Sequence, residues 1–543
     1  VKTPAGAGQL ATDAGASRGK AGFLFAWAAI LLAALVWRLL GITSTEVWRD
    51  EAITIIHTRA TWLDLLTRLP WVEDTPPLVF MQFKAWSLIC DREWFLRLLP
   101  VLWGTAWVHV VMVAARRLHP RAWWPAGLLA AFSQMPIHYS QEIRIYSFLL
   151  LVTALCLWAA ERCVQAPRPR PWLYAVAGLL VLATHAHAVG LLFAPGVLVY
   201  LAGRFGPRRW REMAAWGPAI LLVAGTLPML WFARHWTAIR MAEGDWWVPP
   251  IDSWGVATMA RRFLGASLAT DWALSHVAAW KTWASFVAER LLLMGPVLLL
   301  ALGIAHKCSR SRVIYLALCG LVFLAMLQVS SMVGLPNILD RTVLPVCTPL
   351  VLLLGVGAAS VQNRRLSHLV HGLVVGMAAV CAGGWGWNIA TTPQRPQSRE
   401  LFAWLSPQIG PNDLIYTTPR WFKDLTVYRL ENVISADQLL DPYEEYQGKP
   451  PRHRLVRQSP EGWRHRFNEK FERSRARAGA NFNVWFVEFG LAPCEPGSPK
   501  EYITSLGPEF AHRDIFSAKS LSITGYRPDG SNPPASPTSS VGP

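Results

Sequence analysis

Residues Phe23 to Leu40, FLFAWAAILLAALVWRLL, are followed after a short gap by Trp48-Arg49-Asp50-Glu51, and that juxtaposition decides how the whole chain reads. The apolar run has about the ~20 residues that cross a ~30 Å hydrocarbon core. It is too long for a signal-peptide core and has no Ala-x-Ala site after it, so it reads as an uncleaved first transmembrane helix behind an Ala/Gly/Ser segment, 1 to 22. The pattern recurs along the chain. Glu73-Asp74-Thr75-Pro76-Pro77, Gln141-Glu142-Ile143-Arg144-Ile145-Tyr146 and Asp340-Arg341 also stand among apolar spans that only a bilayer buries. Charge kept beside so much hydrocarbon points to chemistry at a membrane surface.

Composition agrees. Hydrophobic residues make up 52% of the 543, and the charge collects between apolar runs and in the last third of the chain, which describes a polytopic membrane protein with a soluble appendage. The net charge of +17 resides largely in short loops such as Arg116-Arg117, Arg168 to Arg170, Arg208 to Arg211 and Arg364-Arg365. Membrane topology explains these loops better than nucleic-acid binding, so no nucleic-acid partner is expected. None of the eight cysteines forms a CxxC pair, which leaves neither a zinc site nor a disulfide framework.

Spans long enough to cross lie near 23–41, 97–115, 122–139, 145–161, 172–185, 188–203, 214–232, 289–306, 313–333, 342–360 and 369–388, about eleven in all. Residues 77 to 90 would make a helix of only ~21 Å, too short to cross. If that segment stays at the interface, every basic loop named above falls on the side of Arg18 and Lys20, as the positive-inside rule requires. Thr61-Trp62-Leu63-Asp64 resembles a capping box that opens another surface helix. With the N-terminus inside, residues 42–96, 140–144, the turn 184–188, 233–288, 334–341 and everything after about 389 face outward, and all the charged islands share one face. Residues 23–391 thus form the membrane domain. Residues 392–526 read as a small α+β extracytoplasmic domain with strand-like 413–417 and 483–489 and helix-like 400–405 and 463–475, and 527–543 is a Pro/Ser-rich tail expected to be disordered.

Each island has a functional and a plain reading. Asp50-Glu51 offers a carboxylate to take a proton from a hydroxyl, or is a solvated loop pair. Glu73 and Asp74 are catalytic carboxylates or, as the better reading by itself, favour the N-terminus of the interfacial helix. If 141–146 is helical, Gln141 and Arg144 share one face while Glu142 and Tyr146 share another. Arg144 then holds a lipid-linked phosphate, or snorkels or pairs with Glu142. His185-Ala186-His187 reads as a metal pair only in a strand, since on a helix the rings diverge by ~200°; a single polar contact from His185 to substrate fits better, and an ordinary interfacial histidine fits best. Arg341 is a second phosphate ligand, or pairs with Asp340. Trp236, Trp246, Trp247 and Trp254 form an interfacial belt or stack on sugars, and the basic stretch Arg452 to Arg477 is a solvated helix face or meets an anionic acceptor.

In order and spacing, Trp-x-Asp-Glu-Ala (48–52), Asp-Thr-Pro-Pro-Leu (74–78), Glu-Trp-Phe-Leu-Arg-Leu (93–98), Tyr-Ser-Gln-Glu-x-Arg-x-Tyr (139–146), Thr-His (184–185) and Asp-Arg-x-x-Leu-Pro (340–345) resemble the membrane glycosyltransferases of the GT-C fold. The likeness covers about 23–360 and is greatest to the bacterial branch related to protein O-mannosyltransferases, lipid A aminoarabinose transferases and rhizobial galacturonosyltransferases. It implies a polyprenyl-phosphate sugar donor, an envelope acceptor (lipid, glycan or protein) and an active site on the periplasmic face of a bacterial inner membrane. It also implies Asp50 as catalytic base, Glu51 as its structural partner, and the 73–78 segment, with Glu73 and Asp74, as the edge of the donor site. The chain departs from the family at Thr75, often His, and at Thr342, often Tyr. The expectation is an inverting glycosyltransferase in which Asp50 and Glu51 are catalytic and Glu73, Asp74, Gln141, Glu142, Arg144, Tyr146, His185 and Arg341 bind substrate. No cofactor is expected, although carboxylates beside a phosphate leave room for a divalent ion. The alternatives are a lipid-linked sugar flippase, which calls for charge at mid-membrane rather than at one surface, and a noncatalytic envelope assembly protein.

Overall fold

A computed structural model describes residues 7–73, 75–212, 216–243, 283–332, 339–391, 398–418, 423–430, 432–435, 438–440, 460–479, 481–489, 511–518 and 521–527. Asp74, Trp246, Trp247, Trp254, residues 452–459 of the basic stretch and nearly all of the expected tail lie outside them. The chain forms two compact units, Val1–Ile42 with Glu73–Thr391, and Thr43–Val72 with Thr392–Pro543. Residues 43–72 thus group with the C-terminal segment rather than with the helices that precede and follow them.

The first unit is helical. It comprises α1 (Ala7–Leu39), then, after the excursion of 43–72, α5 (Pro77–Ser87), α6 (Glu93–Leu118), α7 (Trp123–Phe132), α8 (Gln134–Tyr139), α9 (Tyr146–Gln165), α10 (Arg170–Ala186), α11 (Val189–Glu212), α12 (Trp216–Glu243), α13 (Trp283–Ala305), α14 (Lys307–Met332), α15 (Asp340–Val343), α16 (Cys347–Ala359) and α17 (Arg364–Thr391). Each of the expected spans is occupied by helix. Among the described residues seven are long and apolar enough to cross a membrane by themselves. Large apolar side chains left exposed on α1 (Leu24, Phe25), α12 (Trp216, Ile220) and α17 (Leu369, Val375) are the surface a bilayer covers. The chain is a polytopic α-helical membrane protein.

One expected span is not continuous. The helix expected over 122–139 breaks at Ser133, which leaves helical geometry at ψ 119°. Pro136 supplies the reason: in an unbroken helix it has no N–H for the Phe132 carbonyl, and its ring collides with that carbonyl. The Ser133 hydroxyl instead donates to the Leu129 carbonyl at 2.6 Å, and the Gln134 amide, buried, donates to the Cys381 carbonyl of α17 at 2.8 Å. At the centre, every residue of α16 is buried. Its glycines permit this: a Cβ on Gly357 would stand 2.0 Å from the Leu299 carbonyl oxygen of α13, and one on Gly355 would meet Ala126 of α7 at 2.6 Å. Small residues at these crossings let the backbones approach closely, which is how helices associate where no hydrophobic effect drives them together. Helix α5 spans ~16 Å at 1.5 Å per residue, too short to cross, and packs its fully buried Val79, Phe80 and Phe83 inward, as an interfacial helix does.

In the second unit, α2 (Arg49–Thr58), α3 (Trp62–Thr67) and α4 (Leu69–Val72) join α18 (Ser398–Leu405), α19 (Lys423–Leu430), α20 (Pro460–Ala478) and a five-stranded sheet. Its strands β1 (Leu414–Thr418), β2 (Leu439–Leu440), β3 (Val484–Phe489), β4 (Ala511–Ala518) and β5 (Leu521–Arg527) run in the order β2-β1-β3-β5-β4. Parallel pairing places Leu414 opposite Val484 and Thr418 opposite Glu488; β3 then pairs antiparallel with β5, so the sheet is mixed. Residues Val484 to Val487 are buried throughout, the unbroken apolar run of a strand covered on both faces. The turn before β1 is pinned by Asp413, whose buried carboxylate accepts from the Gly410 N–H (3.0 Å), the Asn483 N–H (2.8 Å) and Trp485 Nε1 (2.8 Å). Glu46 holds the chain after α1 to this unit: its carboxylate accepts from the N–H and hydroxyl of Ser398 at 2.5 and 2.6 Å, charge placed at the N-terminus of α18 where orphan donors and the helix dipole favour it.

Candidate active site

The connection between α8 and α9 is the core of the site in the first unit. It is not helical: Gln141 to Ile145 form bends, and the Arg144 N–H turns back onto the Glu142 carbonyl at 2.7 Å. Residues 140 to 147 are all buried. A buried connection must satisfy its polar groups within the protein, and the side chains here divide accordingly.

Gln141 faces the end of α1. Its amide nitrogen donates to the Arg38 carbonyl at 2.9 Å and the Leu40 carbonyl at 2.6 Å, groups that a helix C-terminus leaves without partners. Arg38, fully buried, caps α7 in the same way through the Ala130 and Ala131 carbonyls at 3.3 and 3.1 Å, and Arg97 donates to the Ile42 carbonyl at 2.9 Å. These ties stitch the C-terminal ends of α1 and α7 and the start of α6 together around the connection. Gly104 of α6 belongs to the same seam, since a Cβ there would stand 2.1 Å from the Ser140 hydroxyl. Arg38 is the residue sequence reading passed over. Its signal is plain, an arginine inside an apolar span. Glu142, also buried, lies with Oε1 3.4 Å from Nε2 of His138.

Arg144 and Tyr146 gather the remaining islands. Nη2 of Arg144 donates to the Thr75 hydroxyl at 3.2 Å, so Thr75, which stands where the resembled family often has His, orients this guanidinium from the start of α5. The buried Tyr146 ring meets Tyr139 edge-on at 5.2 Å between centroids and His187 at 5.9 Å, and the Arg341 guanidinium carbon lies 6.0 Å over it, at the outer limit of a cation–π contact. Arg341 is placed by α15, whose N-terminus is closed by Thr342: its hydroxyl accepts from the Leu339 N–H at 2.9 Å. Islands 75, 144–146, 187 and 341, far apart in sequence, thus meet at one end of the helices.

Of the histidine pair, it is His187 that joins this group. α10 ends at Ala186, His185 is still helical and its Nε2 sits 2.9 Å from the Gly225 carbonyl of α12, whereas His187 has left the helix with extended backbone. Glu73 opens the segment before α5, half-buried. Among the described residues no three His, Cys, Asp or Glu side chains cluster in a way that could hold a metal ion.

Asp50 and Glu51 lie in the first turn of α2, in the second unit. They differ in kind. Glu51 is fully buried and its Oε2 accepts from the Trp48 N–H at 3.2 Å, which is the capping half of a capping box. Asp50 is half-buried, and its backbone carbonyl accepts from the Thr54 hydroxyl at 2.9 Å. Thr61 opens α3 as expected: its oxygen accepts from the Asp64 N–H at 3.0 Å and its hydroxyl donates to the Asp64 carboxylate at 2.7 Å. That hydroxyl hydrogen bond, more than the nearby Arg68, holds the Asp64 carboxyl below the usual range.

The architecture has counterparts among solved structures. It is similar to ArnT from Cupriavidus metallidurans bound to undecaprenyl phosphate, with a TM-score of 0.58 at 14% identity over 93% of this chain and 98% of that one. The apo state of ArnT from the same organism gives a TM-score of 0.59 at 14% identity over 95% and 100%. This likeness establishes the fold, the GT-C membrane architecture expected from the motifs. No protein-family model and no curated protein matches the sequence.

Proposed function

We propose that the chain is an inverting glycosyltransferase that takes a sugar from a polyprenyl-phosphate donor and transfers it to an envelope acceptor on the outer face of a bacterial inner membrane. The observation that carries this reading is that Tyr146 meets Arg341 and His187, while Arg144, two residues away in the same buried connection, is held by Thr75, in a fold whose ArnT counterpart was solved with undecaprenyl phosphate. A guanidinium over an aromatic ring, with a second one carried by the same connection, suits a phosphate at the headgroup level: each fork matches phosphate oxygens, and a lipid tail lies alongside in the bilayer.

In this reading Asp50 accepts the proton of the acceptor hydroxyl while that oxygen bonds to the anomeric carbon. The bond from that carbon to the phosphate oxygen breaks on the opposite face, which inverts the configuration. The electron pair leaves on polyprenyl phosphate, whose charge Arg144 and Arg341 stabilise. Glu51 fixes the first turn of α2 on which Asp50 stands, Thr75 aims Arg144, and Glu73 with Asp74 borders the donor. Gln141, Glu142 and His185 serve the frame around the donor site.

The experiment is transfer by the full-length protein from an isotope-labelled polyprenyl-phosphate sugar to envelope acceptors. Release of one polyprenyl phosphate per sugar transferred is expected. A labelled donor that crosses the membrane of proteoliposomes with its sugar still attached would favour the flippase instead. Orientation has its own check: a reporter fused after Arg365 should be cytoplasmic and one fused after Pro393 periplasmic, and the reverse pattern would mean that 77–90 crosses and that the islands do not face outward.

A further inference from the structure

The far end of α9 from Tyr146, about 24 Å along the helix axis at 1.5 Å per residue, carries a second basic site. A pocket of about 510 Å³ is lined there by Arg117, Arg162 and Arg168 together with Gln165 and Trp172, and none of the described residues lining it is acidic. Each guanidinium arrives on a different piece of backbone. Arg117 closes α6, Arg162 sits in the last turn of α9, Arg168 lies in the connection that follows, and Trp172 opens α10. The Arg162 guanidinium carbon stands 4.8 Å over the Trp172 ring, and its Nε is buried with no hydrogen-bond partner among the described residues.

Two neighbours show that these arginines are not simply paired off. Glu161, adjacent in sequence, accepts from the Tyr200 hydroxyl at 2.5 Å, pairs with Arg204 at 3.3 Å and accepts from the Gln165 amide at 2.8 Å, so its carboxylate is taken up by partners other than the three pocket arginines. Arg116, next to Arg117, is turned the other way and stacks on Phe23 at 4.4 Å. A helix C-terminus favours a nearby cation by ~0.3–1 kcal/mol, and loop arginines follow the positive-inside rule. Neither effect brings three guanidiniums to one concavity and keeps carboxylates off its walls.

We propose that this pocket binds a phosphate group of net negative charge, supplied by an anionic phospholipid headgroup in the leaflet opposite the transfer site. Guanidinium forks fit phosphate oxygens. Trp172 and the ends of transmembrane helices lie at the depth of the headgroup layer, where aromatic rings and arginine stems are at home. The site is separate from the donor site and does not depend on the transferase reading.

The test uses the full chain in detergent, titrated separately with phosphatidylglycerol, phosphatidylcholine and inorganic phosphate, and reads retained lipid by native mass spectrometry and the thermal midpoint. Phosphatidylglycerol should be retained at least tenfold better than phosphatidylcholine. The combined R117Q, R162Q and R168Q substitutions should lower that retention at least tenfold, while R116Q leaves it unchanged. The exposed R168Q alone, with an unaltered elution profile and midpoint in lipid-free detergent, should lower it severalfold, so the result does not hang on the triple variant folding. Stabilisation by inorganic phosphate equal to that by phosphatidylglycerol, and lost in the triple variant, supports the same chemistry with a soluble source. Equal retention of the two lipids, or arginine-independent retention of phosphatidylglycerol, overturns the proposal.

Discussion

Replacing Asp50 by Asn should lower turnover by about 10²-fold or more while leaving the protein folded. Asparagine has nearly the shape of aspartate and still forms hydrogen bonds, but it cannot take a proton from the acceptor hydroxyl, and loss of general base catalysis is worth about 10²–10⁴. The KM for donor should change little, because the base acts on the acceptor. Glu51 separates chemistry from architecture. Glu51→Gln keeps an oxygen for the Trp48 N–H and should retain most activity; Glu51→Ala leaves that N–H without its partner, at a cost of about 1–3 kcal/mol, and should lower the melting temperature. Steady-state kinetics and melting curves on the three purified variants decide the matter. Full activity in Asp50→Asn combined with loss in Glu51→Gln exchanges the two roles. Wild-type rates in both move the base elsewhere, with Glu73 the first candidate.

The second large effect belongs to Arg144. Arg144→Ala removes charge-assisted bonds worth about 1.5–3 kcal/mol each, so kcat/KM for the donor should fall about 10–100-fold at limiting donor. Arg144→Lys should lie between wild type and Ala, since lysine keeps the charge but loses the planar fork. Because the Thr75 hydroxyl accepts from Arg144, Thr75→Val disturbs only the aim of the guanidinium and should cost less than tenfold. A Thr75→Val loss as large as that of Arg144→Ala would show that α5 is what fails. An Arg144→Ala enzyme with normal donor KM and kcat would remove this residue from the phosphate site.

Much of this molecule was legible before any coordinates. The apolar spans, the short helix over 77–87, the Thr61 cap and the strands at 414–418 and 484–489 all follow from local rules: run length against bilayer thickness, side-chain hydrogen bonds to free N–H groups, and apolar runs bounded by turn residues. Local rules also failed in identifiable places. Whether 141–146 is helical was open in the sequence; the connection is bent, and it sends Gln141 to the carbonyls closing α1 and Arg144 to Thr75. The break at Ser133 was readable from Pro136 three residues on. For the histidine pair, the placement of the end of α10 between His185 and His187 decided which ring meets Tyr146.

By itself, then, the sequence determined that the chain is a polytopic helical membrane protein, that a mixed α/β unit follows, and which charged islands are candidates for chemistry, because burial of apolar length and the cost of stranded charge are properties of a segment and its solvent. Only the tertiary structure decided which partners each island residue takes. Gln141, Arg38 and Arg97 satisfy carbonyls distant in sequence, Glu51 caps its own helix, Arg144 is held by Thr75, and Tyr146, His187 and Arg341 come together. That sorting depends on which orphan carbonyls and hydroxyls lie within ~3 Å once helices distant in sequence have packed, a distance that no local pattern of residues encodes.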